Sequence, residues 1–322
     1  MTTGAVRSIV ARFPDAHITI ETSRRTMPLF DNFPGVAARR VRRDRFEKLT
    51  STLWLRRMSF DLGILLDDSR GRAQVLRWGG VRRTVGIRER DHEAWLDASI
   101  CWAPDAHDRF DPLAAVLALL EAEVDVRPCL YPSRADSMAA VRAFDQMKPA
   151  PSVGLFVGAS IDRKCWPIDR FIDLAHRLER AGIPAVALAA LNGDALLESL
   201  KAAGVRVGSV VRHPLVLAEY MRRFGAVVGN DSGPTHLAAA AGVPTAVIYV
   251  ATLPARGAPY GESNCLIHAG QDCDVYIKRC EGRRASGVCD RRCLLAIDVD
   301  RVFDATVTLL DRHQVGQVGQ VS

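Results

Sequence analysis

Two short clusters in the second half of the chain carry side chains suited to gripping a charged ligand. The first is Asn230-Asp231-Ser232-Gly233-Pro234-Thr235-His236, which sets a carboxylate, a hydroxyl, a glycine and an imidazole in close succession. The second is Gly158-Ala159-Ser160-Ile161-Asp162-Arg163-Lys164-Cys165-Trp166-Pro167, where Ser160 and its backbone can donate to phosphate and Lys164 adds positive charge. A helix that opens directly after a parallel strand offers free N–H groups and the positive end of its dipole, and so attracts phosphate. Gly233 lets the backbone come close, and Ala238-Ala239-Ala240-Ala241 has almost no bulk to hold that helix away from sheet or ligand. Asp231 would repel a phosphate, so its better use is to accept hydrogen bonds from sugar hydroxyls or main-chain N–H groups beside one. Plainer readings stand alongside. Asp231 and Ser232 could cap the helix, His236 could pack in the core rather than orient a ligand, Lys164 could be solvated, and Trp166 could be a core residue.

These clusters need elements to hold them. Gly225 to Gly229 has the length and apolar character of a strand, Pro234 suits a first helical turn, Gly242 suits the left-handed position after a helix, and Thr245 to Val250 is β-branched. The stretch therefore reads as strand, turn, helix, turn, strand. Upstream, Val153–Val157, Ala185–Ala190 and Val205–Val211 read as strands, alternating with helices over Pro167–Ala181, Asp194–Ala203 and Pro214–Phe224. Phe171, Leu174, Ala175 and Leu178 fall on one helical stripe. Strict β/α alternation with short connections predicts an α/β, doubly wound parallel sheet whose ligands sit at the strands' carboxyl ends. The first half opens with a helix marked by Val6, Ile9 and Val10 and ended by Pro14. It continues with strands over His17–Glu21, Leu62–Leu66 and Arg83–Ile87 and a helix over Pro112–Glu123. Met147-Lys148-Pro149-Ala150-Pro151-Ser152 reads as a linker, which divides the chain into domains 1–148 and 149–312. The tail 313–322, with Val-Gly-Gln repeated, is expected to be disordered.

The run from Asn230 to Pro244 resembles the donor-site signature of the ADP-heptose:lipopolysaccharide heptosyltransferases, glycosyltransferase family nine, and Lys164, Trp166 and Pro167 match that family's diphosphate-binding Lys-x-Trp-Pro segment. Thr2-Thr3-Gly4-Ala5-Val6-Arg7, Phe13-Pro14, Phe33-Pro34-Gly35-Val36 and Arg82-Arg83-Thr84-Val85-Gly86 have counterparts there too. The resemblance implies two Rossmann-like domains facing one another, the GT-B arrangement. It implies that the second domain binds a nucleoside-diphosphate sugar, ADP-heptose, through Ser160, Lys164, Asp194, Asp231, Ser232, Gly233 and His236, with Asp194 in place of an acidic group contacting adenosine. The first domain would take a lipopolysaccharide inner-core acceptor. The implied reaction is glycosyl transfer with inversion, without a metal or a cofactor. Family members open with an apolar strand and a Gly-Asp loop carrying the presumed base. This chain starts after that point, so the first strand of the N-terminal domain is expected to be missing, and Asp67 or Asp68, closing a strand, becomes the substitute base. The alternative is a protein that binds a nucleotide sugar or glycan without turnover.

Composition narrows the partners. At 322 residues the chain exceeds the usual single core, which favours two domains. No apolar run approaches the roughly 18 residues that span a bilayer, and the N-terminus has no secretory h-region, so a cytoplasmic location is expected. The net charge of +6 is uneven, because Arg39, Arg40, Arg42, Arg43, Arg45, Lys48, Arg56 and Arg57 face only Asp44 and Glu47. Such a run could be a solvated surface, or could meet a phosphorylated acceptor or the anionic headgroups of the inner membrane at its periphery. No motif points to nucleic acid. The 8 cysteines read as reduced thiols, and Cys273, Cys280, Cys289 and Cys293 lack paired C-x-x-C spacing, so zinc is the lesser expectation for them.

Overall fold

The computed structural model describes residues 2–40, 46–88, 95–101, 110–147, 150, 152–159, 164–189, 194–250, 254, 257–269 and 296–318. The chain divides into two compact units, Met1–Tyr131 and Pro132–Ser322.

The first unit opens with helix α1 (Thr3–Arg12), followed by strand β1 (Ile18–Thr22), a 3-10 turn at Met27–Phe30 and strand β2 (Val36–Arg40). Helix α2 (Glu47–Met58), strand β3 (Leu62–Leu65), helix α3 (Arg70–Trp78) and strands β4 (Arg83–Arg88) and β5 (Ala98–Cys101) come next, and helix α4 (Asp111–Leu119) closes the series. Among the described residues its strand pairs are all parallel, in a two-stranded sheet β1-β2 and a three-stranded sheet β3-β4-β5. β2 was legible only as a charge run, because its arginines conceal a half-apolar strand in which Val36 and Ala38 pack inward. Asp125 fastens α1 to the chain after α4, accepting from Arg7 Nη2 at 2.5 Å and from the Arg127 backbone N–H and side chain at 2.9–3.0 Å.

The second unit contains helix α5 (Arg134–Asp145), strand β6 (Val153–Val157), helix α6 (Ile168–Arg180), strand β7 (Ala185–Ala189) and helices α7 (Asp194–Ala202) and α8 (Pro214–Met221). Strand β8 (Ala226–Asn230), helix α9 (Gly233–Ala240), strands β9 (Thr245–Tyr249) and β10 (Asn264–His268) and helix α10 (Val299–Val318) follow among the described residues. The sheet is parallel throughout in the order β10-β9-β8-β6-β7. Every residue of β6, β7, β8 and β9 is buried, as expected of strands covered by helices on both faces. The α6 stripe Phe171, Leu174, Ala175 and Leu178 points into this core. Gly242 ends α9 at φ +81°, a conformation open to glycine without strain.

Three expectations need correction. The units divide after Tyr131 rather than at the proline-rich stretch near 148, because α5 belongs to the second unit. Its Phe144 ring meets Tyr220 and Phe224 at centroid distances of 6.0 and 5.3 Å, and Ser137 Oγ donates to Glu219 Oε2 at 2.8 Å. The stretch Val205–Val211 makes only a single bridge, Val207 to Ala187, instead of a strand. At Gly208 the chain presses so closely on Leu188 and Tyr220 that a Cβ would stand 2.7 and 2.8 Å from them. Finally, the backbone of 313–318 continues α10 rather than forming a disordered tail, since no proline interrupts the helix that Val302 and Leu309 anchor in the core.

Candidate functional site

The strand order explains how two loops distant in sequence come together. After β6 the chain steps outward to β7, then crosses back to lay β8 on the other side of β6. The carboxyl ends of β6 and β8 thus flank the point where the winding reverses, the place where such sheets bind ligands. The loop after β6 carries Lys164, and the turn after β8 carries Asp231.

At that point Lys164 Nζ donates to Asp231 Oδ2 at 2.5 Å, and His236 Nε2 lies 3.0 Å from Asp231 Oδ1. The group is largely enclosed, with side-chain exposures of 19% for Lys164, 8% for Asp231 and 12% for His236. A carboxylate so nearly dry is tolerable because a cation and an imidazole share its two oxygens. His236 Nδ1 is buried and has no partner among the described residues. Whichever tautomer is present, one ring nitrogen keeps an unused hydrogen-bonding position, a cost of about 1–3 kcal/mol that a ligand or water would remove.

Asn230 joins the two loops. Completely buried at the end of β8, it accepts the Trp166 backbone N–H on Oδ1 at 2.8 Å and donates through Nδ2 to the Gly158 carbonyl at 3.2 Å. Its own carbonyl accepts the Thr235 hydroxyl at 2.7 Å. Gly229, just before it, has no room for a side chain, since a Cβ would stand 2.8 Å from Thr235 Oγ1 and 2.9 Å from the Phe156 carbonyl. The sequence offered a signal for Asn230 that went unread: an amide closing an otherwise apolar strand needs buried partners.

The expected residues divide into those the fold brings together and those it does not. Lys164, Asp231 and His236 form one group, and Ser232 and Gly233 open α9 beside it. Neither Asp231 nor Ser232 acts as a side-chain cap of α9. Asp231 turns to Lys164 and His236, while Ser232 Oγ lies 3.1 Å from Thr235 Oγ1. Trp166 takes the structural role, 2% exposed, with its indole N–H donating to the Ile297 carbonyl at 2.9 Å. Asp194 begins α7, and its side chain lies outside the described residues, as do Ser160 and the cysteines at 273, 280, 289 and 293. Asp67 and Asp68 follow β3 in the other unit. Asp67 Oδ1 accepts the Ser69 N–H at 3.0 Å and its Oδ2 lies 3.5 Å from Arg72, whereas Asp68 makes no such bond among the described residues. A further carboxylate escaped the sequence reading. Glu21, registered opposite Arg39 across β1 and β2, is pushed above the ordinary carboxylate range by burial, with the Arg39 guanidinium opposing the shift.

The chain matches the model of glycosyltransferase family 9 (heptosyltransferase) over residues 52–281. None of the curated proteins matches it. Among solved structures it is similar to Escherichia coli ADP-heptose lps heptosyltransferase II, at 20% identity and TM-score 0.74 over 97% of this chain and 95% of that one. It is also similar to a family 9 glycosyl transferase of Veillonella parvula, at 18% identity and TM-score 0.73 over 97% and 93% of the two chains. A third is E. coli heptosyltransferase WaaC with ADP-2-deoxy-2-fluoro heptose, at 15% identity and TM-score 0.64 over 94% and 92%.

Proposed function

Because the chain belongs to glycosyltransferase family 9, the heptosyltransferase family, we propose that this glycosyltransferase moves heptose from ADP-heptose to a lipopolysaccharide-type glycan, inverting the anomeric centre without a metal. The observation that carries the reading is the Lys164–Asp231–His236 group at the switch point between β6 and β8. A similar structure that holds ADP-2-deoxy-2-fluoro heptose lends it support.

Each residue has a distinct task in this proposal. Lys164 turns from Asp231 toward the diphosphate and, with the N–H groups opening α9 at Ser232 and Gly233, takes up charge as the leaving group departs. Asp231, repelled by the phosphates, accepts hydroxyls of the sugar, and His236 gains through Nδ1 the partner it lacks. Ser160 and Asp194 complete the donor site, at the phosphates and the adenosine. The acceptor hydroxyl loses its proton to a general base as it attacks the anomeric carbon. The bond to the diphosphate breaks on the opposite face, and ADP leaves. Asp68 is the proposed base in preference to Asp67, whose oxygens are engaged by Ser69 and Arg72. The acceptor's lipid would bring the reaction to the periphery of the inner membrane. Among the described residues no helix is long and apolar enough to cross a membrane.

Incubation with ADP-heptose and lipopolysaccharide inner core, read by mass spectrometry, tests the proposal. One added heptose of inverted configuration is expected, undiminished by EDTA. Donor binding without product would leave a binding protein, and loss of product with EDTA would end the metal-free mechanism.

A further inference from the structure

Helix α2 has two faces of opposite purpose. Ser51 and Leu55, 4% and 5% exposed, seat it on the unit beneath, and the Trp54 ring meets Phe60 at 5.1 Å. On the other side Phe46, Leu49 and Leu53 stand 49%, 57% and 55% exposed. Spaced i, i+3 and i+7, they fall within an arc of about 60° at 3.6 residues per turn, opposite the buried pair. By the same rotation the exposed side chains of Arg56 and Arg57 border the stripe on either side. Met58, 51% exposed, lies at the end of α2 away from the stripe. Trp78, 44% exposed, offers its backbone carbonyl to Arg56 Nε at 2.9 Å and its ring edge to Trp95.

Single exposed apolar residues are ordinary on a soluble protein, but a contiguous stripe marks a contact surface. We propose that the Phe46–Leu49–Leu53 stripe of α2 seats the protein on an anionic lipid bilayer, the three apolar side chains entering the headgroup region while Arg56 and Arg57 meet lipid phosphates. The charge decides the occupant. Helix α2 carries one acid, Glu47, against Lys48, Arg56 and Arg57, so a second copy of this face offers the arginines little anionic surface, whereas a bilayer of anionic lipids offers a continuous one. The sequence directly before α2 adds Arg42, Arg43 and Arg45 against Asp44 alone. Apolar side chains rimmed by arginine, with an indole at the margin, are the chemistry of a bilayer interface. This places residues on the membrane contact raised with the proposed function, and it does not rest on the identity of the sugar.

Sedimentation of the full-length chain with vesicles, no nucleotide sugar present, tests the assignment. Wild type is expected to pellet with phosphatidylglycerol-containing vesicles and to stay in solution with phosphatidylcholine alone. The pair Leu49→Asp and Leu53→Asp should weaken binding by about tenfold or more, and Arg57→Glu by about fivefold. Thermal unfolding and nucleotide affinity should be unchanged in both. If the aspartates disturb folding, Leu49→Ser with Leu53→Ser carries the same test. Failure of wild type to pellet, equal pelleting of the Leu49/Leu53 variants, or dimerisation through α2 without vesicle binding would overturn it. Because no sugar is present, that result leaves the transfer reaction untouched.

Discussion

One carboxylate organises the chemistry of the second unit. Asp231 divides its oxygens between Lys164 at 2.5 Å and His236 at 3.0 Å, so the cation that would meet a diphosphate is held in place, and half neutralised, before any ligand arrives. Lys164→Ala should weaken nucleotide binding by about 1–3 kcal/mol, the usual loss of a charged hydrogen-bond partner. Calorimetry with ADP checks this, and unchanged affinity would remove Lys164 from the site. The residue types were legible in sequence because Lys164, Asp231 and His236 stand in the loop and turn that follow apolar, strand-length runs. The choice between alternatives was not legible. That Asp231 does not cap α9, and that Trp166 is buried structure, depends on which atoms lie within reach after folding.

Elements set that reach. β6 and β8 pair in parallel with Phe156 opposite Gly229, and the missing side chain at Gly229 lets α9 close onto the sheet. Gly229→Ala is expected to force Thr235 and the Phe156 carbonyl apart and to cost about 1–3 kcal/mol, as overpacking does. A lowered urea midpoint would be accompanied by weaker ADP binding, because Asn230 is the next residue and links both loops. In the first unit Asp125 carries the corresponding load for α1. Arg127 first, by hydrogen bonding, and then Arg7 hold its carboxyl well below the usual carboxylate range against the opposing effect of burial. A depressed carboxylate contributes stability that is fully present above the unfolded value near about pH 4 and lost as the pH falls further. Asp125→Asn should therefore lower stability at neutral pH and flatten the acid limb of a denaturation curve, while an acid limb as steep as wild type would exclude this role. The fold class was readable from the β/α alternation. β2 and α5 were not, since arginines masked one and neighbouring prolines drew the domain boundary past the other.

For the molecule as a whole, the boundary has consequences. A fragment of residues 132–322 should unfold cooperatively and bind ADP. A fragment beginning at 149 lacks Phe144 and bares Tyr220 and Phe224, a loss of about 3–5 kcal/mol if it resembles removal of a core phenylalanine. Equal urea midpoints for the two would return the boundary to the proline-rich stretch. By itself the sequence determined the α/β class, the two-unit plan, the residues of the phosphate-type turn and the family resemblance, because each is written in local pattern: periodicity, turn chemistry and motif. Only the tertiary structure decided that Lys164 meets Asp231, that Asn230 ties their loops together, that α5 joins the second unit and that α2 turns Leu49 and Leu53 outward. Those facts depend on strand order and on which helix faces find partners, and neither is set by residues close together in the chain.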